Sequence, residues 1–146
     1  MNPERTDPVD DETFITRFED CTLPNTAFHH RDHVRLAWLY LQRAPLLAAL
    51  TRFTEGLQRF ARANGHDGLY HETITWAYLF LVHQRIATAP ESGETWEGFA
   101  ARNPDLMTWK PSVLAGYYRE ETLASELARR VFLMPDLISD HQPRSA

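Results

Sequence analysis

The sequence lacks the features that define several classes of protein. It has one cysteine, Cys21, so no disulfide can form within the chain, and we expect a cytoplasmic location by default. Its net charge of -5 argues against nucleic acid as a partner, because phosphate binding needs a basic surface. No apolar run is long enough to cross a bilayer, and residues 1–11 are acidic and polar, so we expect neither a membrane segment nor a secretion signal.

Three catalytic signatures are also missing from the sequence. It contains no Gly-rich phosphate loop, no Gly-x-Ser-x-Gly turn and no Cys-x-x-Cys pair. Nucleotide, serine-hydrolase and thioredoxin-type chemistry therefore have little support.

The residues that are present indicate one helical domain. The chain has 146 residues, of which 43% are hydrophobic, enough for one buried core. Apolar residues recur at helical spacing and predict an all-α bundle of about five to six helices, with no strand signal competing. The predicted helices cover about 11–21, 29 or 30 to 43, 45–64, 71–87, 96–101 and 120–130.

The domain is expected to span residues 11–138, between flexible tails at 1–10 and 139–146. The helix at 71–87 is apolar nearly all round, as is typical of a buried central helix. Residues 131–137 contain Pro135 and are expected to pack as an extended C-terminal strap. The tryptophans are expected in the core.

Two histidines lie three residues apart in the first turn of the second predicted helix. A helical wheel turns His30 and His33 toward the apolar face, whereas His29 lies toward its boundary. Side chains at this spacing are about 5–6 Å apart at Cβ, close enough for two imidazoles to bind one metal ion. Two ligands make a weak site, so further ligands must come from elsewhere.

A second pair of polar residues begins the buried fourth helix. His71 and Glu72 lie on neighbouring stripes that both look buried, so they need partners or a function. A helix N-terminus favours neutral imidazole and ionised carboxylate, which are the metal-binding forms. If the second and fourth helices start at the same end of the bundle, His30, His33, His71 and Glu72 can converge. His66 is more simply explained as a solvent-facing turn residue that can reach the mouth of a pocket.

Residues 28–34, Phe-His-His-Arg-Asp-His-Val, resemble a group of small, uncharacterised bacterial proteins that share an aromatic-x-His-x-x-His-aliphatic pattern. Ala37-Trp38 follow this stretch, and residues 70–75 match a second pattern, Tyr-His-Glu-Thr-x-Thr. The resemblance extends from about residue 14 to residue 135. It implies no reaction. It does imply the same functional residues as the wheel: His30, His33, His71 and Glu72.

These observations lead to the hypothesis of a small metal-binding protein, in particular a metalloenzyme that acts on a small molecule. His30, His33 and His71 are the predicted ligands of a divalent transition metal, and Glu72 is either the fourth ligand or a general base. Zinc, iron, nickel and copper all suit such ligands.

Two alternatives remain open at this point. One is a metal-handling or sensing protein without turnover. The other is a metal-free helical domain that binds a small molecule or a partner, in which the histidines and Glu72 form a buried hydrogen-bond network. A homodimer is compatible with all three.

Overall fold

The computed structural model describes residues 9–137, and over this range the chain is all-α, as predicted, without a β-strand. The described residues form eight α-helices. These are α1 (Asp11–Glu19), α2 (His30–Arg43), α3 (Leu46–Ala63), α4 (Glu72–Ala87), α5 (Trp96–Arg102), α6 (Pro104–Met107), α7 (Glu120–Leu123) and α8 (Glu126–Arg130). Three short 3-10 turns lie at Asn25–Ala27, Asp67–Leu69 and Val113–Gly116. None of the described helices is long and apolar enough to span a membrane.

The centre of the bundle is formed by α2, α3 and α4, which pack against one another. Helix α1 packs on α3, while α6 contacts α2 and α8 contacts α4. Helix α4 begins at Glu72, one residue after its predicted start at His71, and buries Tyr78, Leu79 and Val82. The short helices at the C-terminal end therefore lie against the two helices that carry the predicted site.

Two predicted helices differ from those in the structure, because local backbone geometry and capping override the apolar spacing. Helix α1 ends at Glu19 rather than Cys21, which has a positive φ of 64° that an α-helix does not continue through. The predicted helix at 120–130 is two helices. Ser125 separates them, because its hydroxyl accepts a hydrogen bond from the Ala128 amide and so begins α8.

The last two residues of the predicted N-terminal tail, Val9 and Asp10, are attached to the helical domain. Asp10 caps α1 by accepting a hydrogen bond from the Thr13 amide, and the Val9 carbonyl accepts one from the buried Arg35. The rest of that tail, residues 1–8, and the tail at 139–146 lie outside the described residues, as does residue 138. Residues 131–137 contain no helix, as expected for the strap.

The prediction that the tryptophans belong to the core holds for Trp38 and Trp96, which are buried against each other. Trp76 is half-buried against the same core. Trp109 is an exception, since 43% of its surface is exposed. It lies in the irregular segment after α6, where no helix carries it inward.

Candidate functional site

A cavity of about 540 Å³ lies between α2, α3 and α4. Most of its wall is aromatic or aliphatic, including Phe28, Phe53 and Phe60. His30, His33, His66 and His71 also line it, whereas no Asp, Glu, Lys or Arg does so in the part of the chain that the structure describes. The cavity thus combines an apolar wall with several imidazoles and no fixed charge.

His30 begins α2 and is half-buried at the cavity wall. Its Nε2 donates a hydrogen bond to the Leu106 carbonyl of α6 at 2.9 Å. Because a carbonyl oxygen only accepts, Nε2 carries the proton and Nδ1 keeps a lone pair when the ring is neutral. Burial lowers the pKa of His30, partly opposed by that hydrogen bond. His30 therefore ties α2 to α6.

His33 lies one turn further along α2 and stacks on Phe28, with ring centroids 4.1 Å apart. The hydrogen bonds formed within residues 9–137 include none to its ring. Loss of solvation lowers the pKa of His33 to about 4, and charge on nearby His30 contributes. At neutral pH His33 therefore presents to the cavity an uncharged imidazole that has no hydrogen-bond partner among the described residues.

His71 is the N-cap of α4 and lies immediately before the helix, whereas the sequence predicted it as the first helical residue. Its Nδ1 accepts a hydrogen bond from the Ile74 amide at 3.1 Å. Its Nε2 donates to the Leu123 carbonyl of α7 at 2.8 Å. Desolvation is the main cause of a lowered pKa for His71. Both ring nitrogens are in use, so His71 holds α4 and α7 together.

Glu72 is not among the residues that line the cavity. Its carboxylate accepts a hydrogen bond from the Tyr70 hydroxyl at 2.6 Å and lines a separate polar cleft with Arg129 and Arg130. Burial and this carboxylate both raise the pKa of Tyr70. The structure therefore brings the three predicted histidines to one cavity and places Glu72 outside it. Within residues 9–137, no three His, Cys, Asp or Glu side chains are arranged to hold one metal ion. The ligand set remains a prediction.

The other two histidines near the site lie at its edge. His29 is the exposed N-cap of α2, where its amide donates a hydrogen bond to the Asp32 carboxylate at 2.9 Å. His66 is exposed and lines the mouth of the cavity. Neither is positioned as deeply as His33.

Sequence reasoning missed Thr73, which is fully buried. Its hydroxyl lies 2.8 Å from the carbonyl oxygens of both Ala128 and Val131, and it accepts a hydrogen bond from the Leu133 amide at 3.1 Å. Thr73 therefore attaches α8 and the strap to α4. Together with His71, it gives the Tyr-His-Glu-Thr stretch a structural task that its sequence pattern does not reveal.

Replacing Thr73 by Val should lower the free energy of unfolding by about 1–3 kcal/mol, because the shape is kept while buried backbone groups lose their partner. Chemical denaturation measures this difference. Thr73→Ser retains the hydroxyl and serves as the control, with a smaller expected loss. Equal stability of Thr73→Val and the wild type would contradict the role assigned to the hydroxyl.

Trp109 was also missed as a site residue. Its ring lies 5.1 Å from that of His30 and 6.3 Å from that of Tyr78, measured between centroids. The partly exposed indole therefore forms a wall of the cavity near solvent. Only the fold reveals this position, because residue 109 is far from α2 in sequence.

Searches of protein-family models, curated proteins and solved structures found no match to this chain.

Proposed function

We propose that this protein binds a small, largely apolar organic molecule in the cavity between α2, α3 and α4. The observation that carries the proposal is the cavity itself, which has a volume of about 540 Å³ and a wall rich in aromatic rings. Ligand sites are typically concave, mostly apolar and furnished with a few polar groups, and in helical bundles they lie between helices. This is the metal-free, ligand-binding alternative of the sequence analysis without its predicted network, since His30 and His71 bond to backbone carbonyls and Glu72 bonds to Tyr70.

The size of the cavity indicates the size of its occupant. An engineered apolar cavity of about 150 Å³ binds benzene. The present cavity is about 540 Å³ and partly open, so it accommodates at least a bicyclic molecule. Its aromatic residues, such as Phe28, Phe60 and Trp109, offer surfaces on which a flat ring can pack.

The hydrogen bonds of two predicted metal ligands favour this proposal over a metal centre. His71 uses both ring nitrogens within the protein, and Glu72 faces a different cleft. Metal ligation by His71 requires the loss of at least one of its hydrogen bonds. In the ligand-binding proposal, both residues keep the contacts they have.

Binding of Nile red, a neutral apolar dye, tests the proposal through its fluorescence. We expect saturable binding of one dye per wild-type chain. Ala61 lines the cavity, whereas Ala48 lies exposed on the same helix. Ala61→Trp should fill part of the cavity and weaken binding by about tenfold or more, and Ala48→Trp serves as the matched control. Absence of saturable binding, or equal binding by the two variants, would overturn the proposal.

A metal-binding protein, in particular a metalloenzyme, is the second candidate. It is favoured by one observation: His30 and His33 are close enough for charge on one to affect the other, and both line the cavity. These two residues would supply ligands, and the cavity would hold the substrate. Elemental analysis of the same preparations separates the candidates. One transition metal per chain, lost in the His30→Ala/His33→Ala variant, would favour this second function.

A further inference from the structure

The polar groups at the cavity wall are mostly paired within the protein. The Tyr70 hydroxyl donates to Glu72, and the Tyr78 hydroxyl shares a hydrogen bond with Ser112 at 2.8 Å. His71 uses both nitrogens, and His30 uses Nε2. These hydrogen bonds hold the wall in place. The N–H of His30 is engaged with Leu106, so its ring can accept a hydrogen bond at Nδ1 but cannot donate one to a ligand without losing that contact.

His33 differs from its neighbours because no hydrogen bond within the described chain reaches its ring. The ring is held by stacking on Phe28, so its orientation does not depend on a polar partner. A neutral imidazole has one N–H donor and one lone pair. A ligand hydroxyl can donate and accept, so it pairs with either tautomer of His33.

The charge of the cavity wall restricts the ligand further. Among the described residues that line it, no Lys or Arg is available to balance an anion, and no Asp or Glu to balance a cation. Burial keeps His33 and His30 neutral at neutral pH, since it lowers the pKa of each. An ion brought into such a site loses its hydration without gaining a partner. The site therefore favours an uncharged molecule.

We propose that the ligand is an uncharged aromatic alcohol of at least two fused rings, whose hydroxyl bonds to the His33 imidazole while its rings pack on the aromatic wall. This inference rests on the proposed function, because it names the chemical class that the cavity selects. The recognition needs no metal and no charged group.

Three naphthalenes of similar shape test the inference by displacing Nile red at neutral pH. 2-Naphthol carries the hydroxyl, 2-methoxynaphthalene lacks the donor, and 2-naphthoate is an anion. A hydrogen bond of ordinary net strength corresponds to about 3- to 10-fold in affinity, so 2-naphthol should displace the dye at a concentration lower by that factor than 2-methoxynaphthalene. 2-Naphthoate should be the weakest competitor, by about tenfold or more relative to 2-naphthol.

Variants at His33, and at one histidine outside the cavity, test whether the selectivity belongs to His33. His33→Phe keeps a flat ring against Phe28 and should remove the preference for 2-naphthol, while 2-methoxynaphthalene still displaces the dye. His33→Gln restores a donor and an acceptor and should recover part of the preference. His83→Phe, at an exposed position of α4 outside the cavity, is the matched control and should leave the preference unchanged.

The outcomes separate this inference from the proposed function. Equal displacement by 2-naphthol and 2-methoxynaphthalene, competition by 2-naphthoate as strong as that by 2-naphthol, or a preference that survives His33→Phe would each overturn the inference. In all three cases the binding of Nile red itself would still support the cavity as a ligand site. Failure of the wild type to bind the dye would instead overturn the proposed function.

Discussion

The free energy of unfolding should fall by up to about 3 kcal/mol through His33 alone as the pH is lowered from 6.5 to 4. Desolvation lowers the pKa of His33 from 6.5 to about 4 in the folded protein. The unfolded chain therefore binds a proton first, and acid favours unfolding. The expected slope is about 1.4 kcal/mol per pH unit within this window, and the effect is absent above it.

Other groups also make the free energy of unfolding depend on pH, and their contributions must be subtracted to isolate that of His33. Burial also lowers the pKa of His30 and of His71, so both add to the loss in the same direction. Burial raises the pKa of Glu19, but its hydrogen bonds to Tyr40 and Arg52 outweigh this and lower it. The hydrogen bond to Arg85 lowers the pKa of Asp105, and the stability from both carboxylates is lost at more acidic pH. Subtraction of a His33 variant from the wild type isolates the single residue.

His33→Phe provides that subtraction, because it keeps the stacking on Phe28 and removes the titration. Urea denaturation at a series of pH values should show that the variant loses less stability than the wild type between pH 6.5 and 4. The difference should be nearly constant above that window. Parallel curves for the two proteins across the window would contradict the burial of His33 as a neutral ring.

The fold was largely predictable because apolar spacing reports which face of a helix is buried. The central helix α4 and the start of α2 were predicted from that spacing. The errors occur where a local feature overrides it, as at Cys21 with its positive φ and at Ser125 with its capping hydroxyl. Neither feature changes the apolar period, so the period alone could not reveal them.

The candidate site was predictable only in part. The helical wheel turned His30 and His33 inward, and both line the cavity. It could not determine whether an inward side chain meets a cavity, a carbonyl or another side chain, since that depends on distant segments. Leu106 and Leu123 supply the carbonyls that bond to His30 and His71, and they lie 76 and 52 residues away in sequence.

Glu72 illustrates the same limit at shorter range. It follows His71 directly, but His71 is the N-cap and has an extended backbone, so the helical spacing of about 100 degrees per residue does not relate the two side chains. The Glu72 carboxylate bonds to the Tyr70 hydroxyl and lines the polar cleft. The helical wheel predicted that His71 and Glu72 are both buried. It could not show that His71 lines the cavity while Glu72 lines the separate polar cleft.

Replacing His71 by Leu should lower the free energy of unfolding by about 2–4 kcal/mol, the sum of a lost helix cap and a carbonyl left without its partner. The Ile74 amide loses its acceptor, and the Leu123 carbonyl loses its donor. His71→Asn keeps a side-chain acceptor at the N-cap but is too short to replace the bond to α7, so its loss should be intermediate. Chemical denaturation of the three proteins gives the ranking.

The same variants bear on the choice between the two candidate functions. If His71 is a structural tie, the order wild type, Asn, Leu should persist with the same spacing when a strong chelator is present, because no metal contributes to the stability. A stabilising metal ligand gives a different result: chelator would destabilise the wild type toward the level of His71→Leu and leave that variant unchanged. Loss of the ranking in chelator would therefore favour the metal centre, whereas its persistence would leave His71 as the residue that holds α7 against the cavity wall.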